Sequence, residues 1–173
     1  MKRKLADRWP EATFGTIEFI GVSDPNEPLF AICEIESLPL VEIEDERVTF
    51  PINIFQQSES PEFTSSERDA DLFFEFAKTE IDEVEIKLPQ SYEIDKYETP
   101  RLFQLSGIFE YVPKLGIRKQ SNVLVYSRKW SLSVVSFPAK HYGTMKELFE
   151  EKWKQDGSMI SLKRKSQYDE PVL

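Results

Sequence analysis

Paired thiols and imidazoles are the common raw material of polar active sites, and this chain has neither. It holds one cysteine, Cys33, and one histidine, His141. An internal disulfide and a multi-cysteine metal site are therefore excluded. A cysteine nucleophile needs a base, and the one histidine is far from Cys33 in sequence. Cys33 sits in PLFAICEIES and reads as a small hydrophobe on a half-buried strand. A single histidine without Cys, His or Asp at ligand spacing reads as structural or surface. Ser65 and Ser66 lack the glycine-flanked turn of a serine nucleophile. Trp9, Trp130 and Trp153 are too scattered in sequence for a sugar-binding strip. No cofactor or metal motif is present.

Glycine is scarce, at 6 residues, and none lies between Gly21 and Gly107. The acidic residues Glu34, Glu36, Glu42, Glu44, Asp45 and Glu46 thus lack the glycine turn of a calcium loop. They read as a solvated edge that discourages strand-to-strand aggregation. No apolar run reaches the length of a membrane-spanning helix, so no membrane insertion is expected. The opening MKRKLADRWPEATF is basic, but no apolar stretch follows, so it does not read as a signal peptide. Export to the periplasm or cell surface would need a signal on a longer parent chain. The cysteine count leaves either compartment open.

What the chain does have is aromatic mass: 13 Phe, 6 Tyr and 3 Trp in 173 residues. That length suits one domain, which buries roughly 70% of its unfolded surface. The formal charge is −9, and an acidic surface repels phosphate backbones, so nucleic acid is not an expected partner. The basic residues gather only at Lys2, Arg3, Lys4 and Arg8 and at Lys163, Arg164 and Lys165. Clusters so near the ends read as solvated termini.

Prolines, 11 in all, punctuate alternating runs, the pattern of an antiparallel β protein with defined corners. Strands are expected over 16–22, 29–36, 40–43, 46–55, 71–77, 80–88, 91–97, 101–112 and 121–136. Lys78 and Thr79 suggest a tight corner between two of these. In 80–88 the even positions Val84, Ile86 and Leu88 share one face, with Glu83 and Glu85 on the wet one. Tyr126, Arg128, Trp130, Leu132 and Val134 in the long run 121–136 also share a parity, so that run reads as a broken or strongly twisted strand. One helix is expected over 144–155, with Thr144 and Glu147 as a capping box, Gly157 beyond its end, and Met145, Leu148, Phe149 and Trp153 on one face. The run SMISLKRK after it reads as a last strand. Glu80, Asp82, Glu83 and Glu85 could bring two carboxylates to glycosidase separation, but no sugar-stacking cleft accompanies them.

Several short segments resemble a known family. Phe63, Ser66-Glu67-Arg68, Leu72-Phe73-Phe74-Glu75-Phe76, Asp82 to Pro89 and Tyr92 resemble the C-terminal domain of unknown function in transglutaminase-like proteins. Arg128, Pro138, Tyr142, Leu148, Phe149 and Ile160 to Lys163 continue the likeness, which spans about 25–165. The resemblance implies a β-sandwich that follows an N-terminal β-domain and a papain-like core. It also implies no catalytic triad here, since the triad belongs to that core.

The expected fold is mainly β: an antiparallel β-sandwich over 16–165, with one amphipathic helix before the last strand. Residues 1–15 form an N-terminal segment or connector, and 166–173 a polar tail. The expected function is that of a non-catalytic accessory domain, with no cofactor, partnered by a transglutaminase-like core or another protein or peptide. Phe103, Phe109, Tyr111 and Trp153 are candidate docking residues, because they exceed what one small core needs. An independent peptide- or glycan-binding module is the alternative.

Overall fold

A computed structural model describes residues 9–37, 39–55 and 60–165. The basic cluster Lys2, Arg3, Lys4 and Arg8 and the tail 166–173 lie outside the described residues, as does most of the loop expected at 56–62. The chain divides into two compact units between Leu40 and Val41. That boundary falls inside the span 16–165 read from sequence as one domain.

The first unit is an antiparallel hairpin of β1 (Thr13–Ile20) and β2 (Phe30–Ser37). Ile20 faces Phe30, Phe19 faces Ala31 and Ile17 faces Cys33. Gly21 leaves β1 at φ +86, and a Cβ there would lie 2.2 Å from the Pro28 carbonyl oxygen. Only glycine fits that turn.

The second unit holds two four-stranded antiparallel sheets. The first sheet has the order β6 (Lys78–Lys87), β10 (Val123–Leu132), β9 (Phe109–Arg118), β8 (Phe103–Leu105). The second has the order β3 (Glu42–Glu44), β4 (Arg47–Pro51), β12 (Met159–Arg164), β7 (Tyr92–Tyr97). A two-residue ladder joins β5 (Leu72–Phe73) to β11 (Ser136–Phe137). The helix α1 (Tyr142–Asp156) follows a single 3-10 turn and precedes β12. The mainly β architecture with one helix before the last strand is as the sequence implies.

One apolar cluster combines Val84, Leu124 and Tyr126 of the first sheet with Phe50, Ile160 and Leu162 of the second, so the sheets pack face to face. A second cluster joins Phe109, Tyr111, Trp130 and Leu132 to Phe137 and to Tyr142, Met145 and Phe149 of α1. Both clusters use the same face of β10, half of it covered by a sheet and half by the helix. In β6, Val84 and Leu88 are buried and Glu83 and Glu85 exposed, so the expected register holds.

Several boundaries differ from expectation for physical reasons. The segment 71–77 does not pair with β6; its Leu72 and Phe73 pair with Phe137 and Ser136 of β11 instead. The run 101–112 splits into β8 and the start of β9 around Gly107, whose φ of +71 closes a hairpin. Pro113 lies inside β9, opposite Arg128. It is tolerated because β8 reaches only Tyr111, which leaves Pro113 on an open edge where no N–H is needed. The helix begins at Tyr142, with His141 as its N-cap and no capping hydrogen bond from a side chain, so Thr144 is no cap. Burial of Tyr142, whose hydroxyl donates to the Ser65 carbonyl at 3.0 Å, sets the earlier start. The run 121–136 is broken, as expected, after Leu132: β10 ends there and β11 begins at Ser136.

Leu124 is fully enclosed between the sheets. Leu124→Ala should cost about 2–5 kcal/mol, whereas Ile81→Ala, at an exposed position of β6, should stay within about 0.5 kcal/mol. Urea unfolding of both variants checks the assignment of faces.

Candidate functional site

Cross-strand pairing puts charge in the middle of the buried face. On β10 the inward positions are Leu124, Tyr126, Arg128, Trp130 and Leu132, since side chains alternate with a period of two. Their partners on β6 place Asp82 opposite Arg128 and Glu80 opposite Trp130. Those on β9 place Tyr111 opposite Trp130. The buried stripe of α1 runs through Met145 and Phe149 and ends at Asp156, which reaches the same point from the helix side.

Asp156 is the hub. Its Oδ1 accepts hydrogen bonds from Asn53 Nδ2 at 3.2 Å, Tyr111 Oη at 3.0 Å and Arg128 Nη1 at 3.0 Å. Its Oδ2 accepts from Arg128 Nη1 at 3.0 Å and Lys152 Nζ at 2.8 Å. Arg128 extends its other amino group to Glu80 Oε2 at 3.3 Å and to an ion pair with Asp82. The Trp130 indole N–H donates to Glu80 Oε2. Lys78 and Lys152 place their ammonium groups 4.7 and 5.0 Å from the Trp130 ring centroid, one cation–π contact each. Arg128, Asn53 and Asp156 are 0%, 0% and 2% exposed. The Arg128 Nε–H alone of its donors finds no acceptor.

Burial by itself would raise the Glu80 carboxyl. The Trp130 hydrogen bond and the charges of Lys78 and Arg128 outweigh it and hold the carboxyl below its ordinary value of 4.5. Burial, reinforced by the Asp156 charge, pushes the Tyr111 hydroxyl far up. Tyr126 is pushed up to about 12, chiefly by burial. Burial works against the Arg128 cation, yet Asp156 and Asp82 hold its pKa above the ordinary value. Around neutral pH the centre therefore contains a fixed guanidinium, neutral phenols and an ionised Glu80. Its Asp156 oxygens are fully engaged, so it offers an incoming substrate no free base. Chemically it is a buried tie rather than a reaction centre.

The residues singled out from sequence lie elsewhere. Cys33 is half-buried in the hairpin unit, its thiol 3.6 Å from the Glu34 carbonyl oxygen. His141 is exposed in the second unit, tilted against Phe137 at 6.2 Å. Phe109 and Tyr111 lie inside the core and offer no docking surface. Phe103 is half-buried and stacks on Tyr111 at 4.8 Å, and Trp153 is half-buried on α1, one turn beyond Phe149. Of the four acidic residues on β6, Glu80 and Asp82 join the Arg128 centre. Glu83 and Glu85 face outward, and Glu85 pairs with Arg118 at 2.7 Å. Among the described residues, no group of three or more His, Cys, Asp or Glu side chains is placed to hold a metal ion.

Residues 46–162 match a family model described as a domain of unknown function with a solved structure. No curated protein and no solved structure matches the chain. Among the described residues no helix is long and apolar enough to cross a membrane.

Removing Arg128 leaves Asp82 without its counter-charge and Asp156 with Lys152 alone. Arg128→Met should cost about 3–5 kcal/mol, and Asp156→Ala a comparable amount, both read by urea unfolding. Glu80 gives a pH signature. Its folded-state pKa is depressed, so its stabilisation is present above about pH 4.5 and is lost as pH falls through the lower folded value. Glu80→Gln should flatten the loss of stability below pH 4.5, measured as melting temperature against pH.

Proposed function

The chain belongs to the DUF3858 family, and from that premise we propose that it is a non-catalytic accessory module that docks onto a transglutaminase-like catalytic neighbour. The observation that carries the reading is the hairpin unit. Ile20, Phe30 and Ile32 alternate onto one of its faces and Phe19 onto the other; all four are about half exposed, and Val22 and Leu29 at its turn are more exposed still. A two-stranded hairpin is marginally stable by itself. Ile20, Phe30 and Ile32, gathered on one exposed face, mark an interaction surface.

The likeness of 63–92 and 128–163 to the C-terminal domain of transglutaminase-like proteins supports such a neighbour. A papain-like core brings its own nucleophile and base, and needs from such a domain only position and access. The engagement of Glu80, Asp82 and Asp156 with Arg128 supports a chain without amine-transfer chemistry of its own. Its partner is a protein, and its location follows that of the parent core, outside the cytoplasm if that core is exported.

The purified chain should bind a transglutaminase-like core from the same source in a titration calorimeter. Phe30→Ser should weaken that binding by about tenfold or more, as expected when a central apolar anchor is lost, without altering the melting temperature. The chain alone should incorporate no amine into a glutamine donor. Absence of binding would overturn docking, and amine incorporation abolished by Cys33→Ser would overturn the non-catalytic reading.

A further inference from the structure

A sheet that ends in water leaves a row of unpaired backbone N–H and C=O groups. Proteins blunt such edges with short strands, bulges, proline or charge. Three of the four outer strands of the two large sheets are blunted by length, bulge or proline. β3 and β8 are three residues long, and the part of β9 beyond the reach of β8 contains Pro113. β7 bulges at Asp95, which has no opposite residue where the pairing with β12 slips. β6 has none of these devices. Its 10 residues contain no proline or glycine and pair with β10 in one unbroken register, Lys78 opposite Leu132 through Lys87 opposite Val123. Among the described residues, no backbone hydrogen bond reaches Lys78–Lys87 from any element but β10.

Side chains along that edge fall into two rows. Glu80, Asp82 and Val84 lie in the inward row, where Arg128 holds the two carboxylates and the second sheet covers Val84. Thr79, Ile81, Glu83, Glu85 and Lys87 lie in the outward row, and all five are exposed. Ile81 is 65% exposed. Glu85 already pairs with Arg118. Glu83 sits opposite Ser127 and forms no ion pair among the described residues.

We propose that the open edge of β6 takes up an extended basic segment of a partner protein by strand addition. The backbone edge supplies main-chain hydrogen bonds whatever the partner's sequence, and the side-chain rows supply selection. A partner strand with Lys or Arg beside Glu83 and an apolar side chain beside Ile81 completes both cross-strand pairs. A second copy of the chain does not. Two β6 strands paired antiparallel about a two-fold axis set carboxylates opposite one another wherever the axis falls from Ile81 to Val84. The opposed pairs are in turn Glu80 with Asp82, Asp82 with itself, Glu83 with itself and Glu83 with Glu85. Like charges directly opposite are destabilising, and the net charge of −9 adds to the repulsion between copies. Charge thus guards this edge against self-pairing while leaving it open to a partner of opposite sign. The site lies wholly within the sandwich unit and is independent of docking by the hairpin.

The intact chain is titrated by calorimetry with a synthetic peptide built from the repeat Val-Thr-Lys-Thr and matched to β6 in length. Two controls accompany it: the same peptide with Glu for Lys, and the basic peptide with its backbone nitrogens methylated. Saturable binding of the unmodified basic peptide is expected, with Kd on the order of 10 µM to 1 mM. Amides within 79–87 should gain protection from hydrogen exchange in that complex and with neither control. Glu83→Lys, an exposed change, should weaken binding by about fivefold or more with an unchanged melting temperature. A lack of saturable binding to the basic peptide overturns the proposal, as does binding indifferent to Glu83→Lys. Equal binding of the methylated peptide overturns it too, since charge attraction without strand pairing would then suffice. So does self-association of the free chain that protects 79–87 and is lost with Ile81→Lys, which would assign the edge to a second copy.

Discussion

The sandwich unit depends on one carboxylate. Asp156 ends the only helix among the described residues, where the helix dipole disfavours negative charge. It is also shut away from water, which disfavours it further. Arg128, Lys152, Tyr111 and Asn53 together make that position tenable. These partners come from the first sheet, the helix and the segment after β4, so the tie locks three pieces of the fold at one point. The chain then turns at Gly157 and enters β12, with the Ser158 carbonyl already accepting from Ile52 N–H at 3.0 Å. Where Asp156 is held, the start of the last strand is held too. A buried ionic tie adds less net stability than an apolar one of the same shape, but it is intolerant of misplacement.

Much of the architecture was legible because the sequence signals were local. Alternation in Val84, Ile86 and Leu88 gives the face of β6, and Ile160 and Leu162 give that of β12, with no knowledge of what covers them. Alternation cannot tell which strand pairs with which, and 71–77 shows the consequence. Its apolar residues are real, yet Phe73 stays exposed and only two residues pair with anything. Pro113 misleads in the opposite sense. Its tolerance depends on how far the neighbouring strand extends, which is a property of the assembled sheet.

The Arg128 centre was half visible. A charge in phase with Leu124, Tyr126, Trp130 and Leu132 on one strand, and another in phase with Val84 and Leu88 on the next, imply a buried pair across the ladder. Asp156 gave no warning, since only the helix phase, set by Tyr142, turns it inward. The aromatic excess found its explanation in two separate cores on one sheet face, which absorb Phe109 and Tyr111. The surfaces left for function are consequently peripheral: a hairpin with apolar residues on both faces, and the uncovered edge of β6. Neither is marked in the sequence by a motif, because being left uncovered is a property of the assembled fold.

The position of β12 has a temporal meaning. It runs between β4 and β7, so the second sheet has no centre until the residues after 158 are made. During synthesis β4 and β7 would wait on the ribosome as unjoined strands, each with an open edge, while the first sheet, whose members all lie between 78 and 132, could already assemble. Long-range closure of this sort slows folding, and strands left open are exposed to intermolecular pairing. The charged residues along β3, and the two lysines and the arginine that follow Leu162, protect that interval as much as the finished surface.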